Sequence, residues 1–129
     1  MTPFYVDEQG AWYGLGLIPS PEAAKRRVSG VWSGPTIPRS EWRPVDYRPF
    51  APAVFDQRAQ GSCVGHGGVG VMCTLRALHG QGRERLSPSN LYGQINGGRD
   101  RGALVTDALE ALRTVGACLE STIGPGPWP

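Results

Sequence analysis

The chain has few of the residues from which several kinds of site are built. Its 129 residues include three cysteines and two histidines, and its 13 basic residues outnumber its 11 acidic residues by two. A net charge of only +2 gives no basic footprint for nucleic acid and no polybasic patch for a membrane surface. Because the cysteines are odd in number and no secretory signal precedes them, we expect reduced thiols rather than a disulfide framework.

Long apolar runs and a leader sequence are also missing. No run of about 18 or more apolar residues occurs, so no transmembrane helix is expected. The opening residues, MTPFYVDEQG, lack the basic and apolar regions of a secretory signal. We therefore expect the protein in the cytoplasm, or in a virion or other assembly that forms there.

Glycine and proline, by contrast, are plentiful. The 19 glycines and 12 prolines predict much loop, while 40% apolar residues are enough for one packed core. Residues 1–52 are interpreted as a proline- and aromatic-rich arm, with a short helix predicted at 21–27. The aromatic residues favour packing of this arm against a surface. A tail that becomes ordered on a partner is the alternative.

Residues 53–129 are interpreted as a helical domain. Apolar spacing predicts one helix from 63 to about 79 and another from 104 to 115, and a Ser-Pro pair predicts a helix over 87–95. The first of these helices contains four glycines, at positions 65, 67, 68 and 70. Each lowers helix propensity by up to about 1 kcal/mol. So many glycines predict either a closely packed neighbouring backbone or distorted first turns.

Cys63 lies at the predicted start of the first helix, directly after Gly61 and Ser62. Unpaired N–H groups and the positive end of the helix dipole stabilise a thiolate at such a position, and the thiolate is the nucleophilic form of cysteine. The same N–H groups can donate to an oxyanion that forms on an attacked carbonyl. The side-chain amide of Gln57, six residues upstream, can supply a second donor. These residues predict a nucleophilic thiol.

Several segments, in this order, carry a resemblance to a known family. They are residues 16–19, 37–48, 54–66 with its Gly-Ser-Cys-Val-Gly-His ending, 86–92 with its Leu-Ser-Pro start, 100–102, 106–109 and 115–116. Together they resemble the papain-like cysteine peptidases, most closely the bacterial and phage-type branch with a short N-terminal arm. The resemblance covers most of the chain. It implies an α+β fold of which this chain is the helical (left-hand) half, mostly helix and loop, preceded by the arm.

The resemblance also implies roles for individual residues. Cys63 is implied as the nucleophile and Gln57 as the oxyanion-hole side chain of a thiol protease, a hydrolase that forms an acyl-enzyme. The loop that contains Asp100, Arg101 and Gly102 is implied to hydrogen-bond the backbone of an extended peptide or protein substrate. No cofactor and no metal are implied.

The family's general base does not match any residue of this chain. Its His and the Asn that orients it lie about 130–150 residues after the cysteine, in the other half of the fold. His66 lies on the same predicted helix as Cys63, and His79 is several turns away. We therefore expect a split or truncated catalytic domain, inactive alone, that a continuation or a partner chain completes with the His and Asn. Such a half-domain is expected to expose an apolar face and to need a partner or self-associate.

Other interpretations remain open at this point. If Gln60 is the family's glutamine, His66 takes the nucleophile position and the chain is an inactive relative. A further alternative is that Cys63 is a buried core thiol, as we expect for Cys73 and Cys118. The spacing of Cys63, His66 and Cys73 matches that of structural zinc sites poorly. The glycines match a phosphate-binding loop poorly as well. At the level of function, the alternatives are a non-catalytic structural or interaction module, such as a component of a virion, and a helical binding domain.

Overall fold

The computed structural model describes residues 4–6, 8–10, 12–14, 18 and 36–123. Strands β1 (Phe4–Val6) and β2 (Trp12–Gly14) pair as an antiparallel hairpin in which Tyr5 lies opposite Tyr13. Single turns of 3₁₀-helix follow at Arg39–Glu41 and Arg48–Phe50. The helix predicted at 21–27 and the last six residues, 124–129, lie outside the described residues.

Four α-helices follow within residues 51–123. They are α1 (Cys63–Leu78), α2 (Pro88–Ile95), α3 (Val105–Thr114) and the single turn α4 (Glu120–Ile123). The described part of the chain is mostly helix and loop, which confirms the mostly helical prediction. Among the described residues no helix has the length and apolarity that crossing a membrane requires.

Local chemistry explains where α2 begins and where α3 ends. Ser87 caps α2 because its side-chain oxygen accepts the N–H of Asn90 at 3.1 Å, and Pro88 occupies the first helical position. Gly116 follows α3 with a φ of +85° and donates its N–H to the carbonyl of Ala111. Glycine takes this left-handed conformation without a steric penalty, so the helix stops there.

The core lies where α1 packs against α2 and α3. Val69, Leu91 and Tyr92 are fully buried. Burial of each such side chain stabilises the fold by roughly 1.5–3 kcal/mol. The other buried apolar residues are Val64, Cys73, Leu86, Ala103 and Ala108.

Two of the four glycines in α1 have a packing reason. A Cβ at Gly65 would lie 2.9 Å from the carbonyl oxygen of Pro88, and one at Gly68 would lie 3.0 Å from Leu91 Cδ2. A Cβ at Gly67 or Gly70 would meet nothing within 4 Å. The predicted close approach of another backbone is therefore found at Gly65, where α2 begins.

One face of α1 and α3 is apolar but open. Val71 is 59% exposed and Leu109 is 58% exposed, although both are large aliphatic residues inside helices. Leu75, Leu78 and Val105 are exposed as well. We call this set of five residues the apolar face.

The arm packs only in part. Residues 36–49 are exposed throughout, so the surface packing expected of the arm is not found there. Arg83 contacts the end of this segment, because its guanidinium donates to the carbonyl of Pro49 at 2.8 Å and lies over the ring of Phe50. Earlier in the arm, the N–H of Ile18 donates to the carbonyl of Ala103 at 3.1 Å.

Candidate thiol site

Cys63 is the first residue of α1. Its thiol is free and half-buried, and Ser62, the residue before the helix, is fully buried. The carbonyl of Ser62 accepts the N–H of His66 at 3.0 Å, which is the first hydrogen bond of the helix. The N–H groups before it have no acceptor within the helix and lie at the positive end of its dipole. The thiol thus stands where an anion is favoured.

Gln57 belongs to a compact turn that leads into α1. Its amide Nε2 donates to the carbonyl of Gln60 at 3.3 Å, and the N–H of Gln60 donates to the carbonyl of Gln57 at 3.3 Å. The carboxylate of Asp56 accepts the N–H of Arg58 at 2.8 Å, while Arg58 has a φ of +51°. A non-glycine residue in this conformation is uncommon, and such positions concentrate at functional sites.

A hydrogen-bond network joins the start of α1 to the loop after α2. Asp100 Oδ1 accepts the N–H of Gly61 at 2.9 Å and the hydroxyl of Tyr92 at 2.7 Å. The Tyr92 oxygen in turn accepts the N–H of Gly102 at 3.1 Å. Burial, and then the hydrogen bond to Asp100, raise the pKa of Tyr92 to about 12. The hydroxyl therefore keeps its hydrogen at neutral pH.

The network changes what the loop residues can do. Gly102 is buried and its N–H already donates to Tyr92, so that N–H is not offered to a substrate. Asp100 is exposed but accepts two hydrogen bonds from the protein itself. Arg101 is exposed, its backbone N–H donates to the carbonyl of Arg99, and its guanidinium takes no part in this network. The structure thus brings Asp100 and Gly102 to the start of the Cys63 helix.

Tyr92 and Gly61 were missed by the sequence reasoning. A buried tyrosine needs a hydrogen-bond partner for its hydroxyl. Tyr92 stands in a helix eight residues before Asp100, which was a usable signal. The bond from Gly61 to Asp100 spans 39 residues and leaves no trace in local spacing.

His66 is held within its own helix and against the arm. Its Nδ1 lies 2.9 Å from the carbonyl of Ser62, a contact that requires Nδ1 to carry a hydrogen. The ring of Phe55 meets the His66 ring edge-on at 6.1 Å between centroids. His66 is the fourth residue of the helix and Cys63 the first, so the residue at the helix start is the cysteine.

Arg85 secures Phe55 and the segments on either side. Its guanidinium lies 4.0 Å from the centre of the Phe55 ring and donates to the carbonyl of Ala53 at 2.7 Å. It also pairs with the carboxylate of Glu120 at 2.6 Å. One side chain thereby holds the end of the arm, the segment before α2 and the helix α4 together.

A groove opens beside the thiol. It has a volume of about 410 Å³ and an apolar lining. Its lining residues are Cys63, Val64, Gly67, Gly68, Val71, Val105, Ala108 and Leu109. The groove therefore runs from the thiol onto the apolar face.

The other two cysteines are placed differently. Cys73 is buried, and its sulfur lies 3.4 Å from the N–H of Leu86, which confirms the prediction of a core residue. Cys118 is half-buried, so it is not fully part of the core. Within the described ranges no three His, Cys, Asp or Glu side chains come together as metal ligands, so the zinc set of Cys63, His66 and Cys73 is not assembled.

The chain matches no protein-family model, no curated protein and no solved structure. What can be said of function therefore rests on the turn at 57–62, the thiol that follows it and the loop at 100–102.

Proposed function

We propose that this chain is the nucleophile-bearing half of a papain-like cysteine peptidase. The observation that carries the proposal is the position of Cys63, a half-exposed thiol at the first residue of a 16-residue helix. A glutamine in the turn before it and a glycine loop bonded to that turn support the same interpretation. The substrate is a peptide or protein, and the reaction needs no cofactor.

The proposed chemistry begins with the Cys63 thiolate. Its sulfur attacks a peptide carbonyl carbon, and the N–H groups at the helix start stabilise the oxyanion that forms. We propose the Gln57 amide, whose Nε2 also donates to the Gln60 carbonyl, as a further donor. The carbon–nitrogen bond then breaks, the amine leaves with a proton from a general acid, and water hydrolyses the thioester. His66 lies on the same helix as Cys63, three residues after it, and its ring nitrogen Nδ1 is turned to the Ser62 carbonyl, so we assign the acid–base role to a histidine outside these residues.

The histidine and its orienting asparagine come, in this proposal, from a continuation of the chain or from a partner chain. The groove beside Cys63 and the apolar face next to it support docking of such a half. Gly67 supports docking too. A glycine inside a helix lowers helix stability by up to about 1 kcal/mol, and no described residue lies close enough to Gly67, within 4 Å of a Cβ there, to require it. A backbone that packs against Gly67 from outside explains this glycine as Pro88 explains Gly65.

Alkylation of the three cysteines tests the proposal. Below its usual pKa of about 8.5, an ordinary thiol loses reactivity about tenfold per pH unit, because only the thiolate attacks. At pH 6 we therefore expect iodoacetamide to label Cys63 at least about tenfold faster in the folded protein than in the urea-unfolded chain. Site-resolved mass spectrometry measures the rates, and half-buried Cys118 serves as the internal control.

A non-catalytic interaction module, such as a component of a virion or another cytoplasmic assembly, is the second candidate. The breadth of the apolar face favours it, because the face extends beyond the groove to Leu75 and Leu78. The same experiment separates the two functions. If Cys63 is labelled no faster in the folded than in the unfolded chain, the result argues against a nucleophile and for the interaction module.

A further inference from the structure

We propose that Asp100 and Tyr92 are positioning residues that set the register between the Cys63 thiol and a peptide lying along the loop at 100–102. The inference deepens the proposed function and rests on it. It concerns geometry, since neither side chain is assigned a contact with the reacting atoms.

The two residues form the bridge described above between separate parts of the chain. One carboxylate oxygen of Asp100 accepts both the Gly61 N–H and the Tyr92 hydroxyl, at 2.9 and 2.7 Å. The Tyr92 oxygen then accepts the N–H of Gly102 at 3.1 Å. Gly61 precedes Cys63 by two residues, so the chain of bonds runs from the thiol's own turn to the loop.

Neither partner segment has regular structure of its own to fix it. The loop has positive φ angles at Gly97, Gly98 and Gly102, of 63°, 76° and 85°. Residues 97–101 are exposed, and the turn at 57–60 is held by its own short-range bonds. Tyr92 is the rigid element, because it is fully buried within α2 and in the core. The bonds to this phenol and to Asp100 therefore tie the loop and the turn to each other.

Both groups are better suited to holding than to proton transfer. Burial raises the pKa of Tyr92 to about 12, so its hydroxyl stays protonated and donates to Asp100 at any pH near neutral. The Tyr92 oxygen both donates and accepts, and Asp100 Oδ1 already accepts two bonds. The two groups therefore hold the turn before Cys63 and the loop at 100–102 together without exchanging a proton.

Two alkylating reagents separate positioning from simple thiol reactivity. In this proposal a dipeptidyl chloromethyl ketone reacts faster when its peptide lies along the loop, and its methylene carbon bonds to sulfur as chloride leaves. Iodoacetamide needs no such placement. The ratio of the two rate constants at Cys63, peptide reagent over iodoacetamide, measures the register.

We expect Asp100→Ala and Tyr92→Phe to lower this ratio by about tenfold or more, since small misplacements of reacting groups have effects of this size or larger. Asp100→Asn keeps an oxygen that accepts both hydrogen bonds, so it is expected to stay within about threefold of the wild type. Arg99→Ala lies in the same loop and outside the network, and it is expected to leave the ratio unchanged. Thermal melts confirm that each variant is folded.

The outcomes distinguish the two proposals. If Cys63 is no more reactive in the folded than in the unfolded chain, the proposed function fails and this inference fails with it. If Cys63 is reactive but the ratio is unchanged in Asp100→Ala and Tyr92→Phe, or the peptide reagent has no advantage in the wild type, only the inference is overturned. If Asp100→Ala does not fold, comparison of Tyr92→Phe with Asp100→Asn decides by itself.

Discussion

Glycines 65 and 70 belong to one helix and meet opposite surroundings. A Cβ at position 65 would lie 2.9 Å from the Pro88 carbonyl oxygen and 3.0 Å from Tyr92 Cβ. Because the first of these atoms is backbone, it cannot move aside as the end of a flexible side chain can. A Cβ at position 70 would meet no atom within 4 Å.

The two positions are therefore expected to respond to alanine with opposite signs. Gly65→Ala forces α1 away from α2 and should lower the free energy of unfolding by about 1–3 kcal/mol. Gly70→Ala should raise it by about 0.5–1 kcal/mol, because alanine loses less conformational freedom in a helix. Urea unfolding followed by circular dichroism measures both values. A similar loss at the two positions would mean that α2 does not approach the helix at Gly65.

Sequence reasoning reached part of this result. The number of glycines in one helix predicted a close neighbour, since helices tolerate so many only for a reason. It did not tell which glycine meets that neighbour. Gly67 and Gly70 have the same local sequence character as Gly65, and only the placement of Pro88 separates them.

The starts of α1 and α2 look alike in sequence and differ in structure. Each helix is preceded by a serine, and both serines are buried, Ser62 at 0% and Ser87 at 1% exposure. Ser87 accepts the N–H of Asn90 at 3.1 Å. The Ser62 hydroxyl has no hydrogen-bond partner among the described residues and does not cap its helix.

Alanine substitutions at positions 62 and 87 are expected to have different effects on stability. Ser87→Ala should lower stability by about 1 kcal/mol through loss of the cap. Ser62→Ala should be neutral or slightly stabilising. The Ser62 hydroxyl loses its bonds to water when it is buried and makes no hydrogen bond in the protein, so its removal takes away an unfavourable contribution. Thermal and urea unfolding test the pair. A loss of about 1 kcal/mol or more in Ser62→Ala would show that this hydroxyl has a partner in solution.

Elements with strong local signals were the predictable ones. The Ser-Pro pair gave the start of α2, and the apolar spacing with Gly116 gave α3 and its end, each to within about one residue. The arm was harder, because an extended segment has no apolar period that tells an exposed residue from a packed one. Trp42 is 68% exposed, although aromatic content had favoured packing.

At the scale of the whole molecule, the apolar face is the feature that most needs a partner. Isolated aliphatic residues are common on surfaces, but this set continues a groove that starts at the thiol. Val71 and Leu109, on different helices, both line that groove. Two copies of the chain can bury these faces against each other.

We therefore expect the chain alone to self-associate as its concentration rises. Val71→Lys with Leu109→Lys should shift it to the monomer in sedimentation velocity, because burial of two added charges opposes the contact. Val54→Lys is the control, since Val54 is 96% exposed and lies outside the groove. A wild-type chain that stays monomeric at high concentration, or a Val54 variant that behaves like the double variant, would contradict this use of the face.

Long-range contacts mark the limit of prediction from this sequence. The thiol, the glutamine and the glycine loop were each found from short motifs. That Asp100 bonds to Gly61, 39 residues away, depends on how α2 packs in the core, and spacing along the chain does not encode it. For the same reason, the hydrogen bond from the Gly102 N–H to Tyr92 was not predicted.

The guanidinium of Arg85 has a consequence for how this domain is connected to other segments. It bonds to Ala53, where the arm passes into the domain, and to Glu120, in the last described helix. Ala53 and Glu120 are therefore neighbours, within reach of one side chain. Since units whose two ends meet in this way tolerate insertion into a host protein, we expect residues 53 and 120 to stay close when the segment between them is inserted elsewhere.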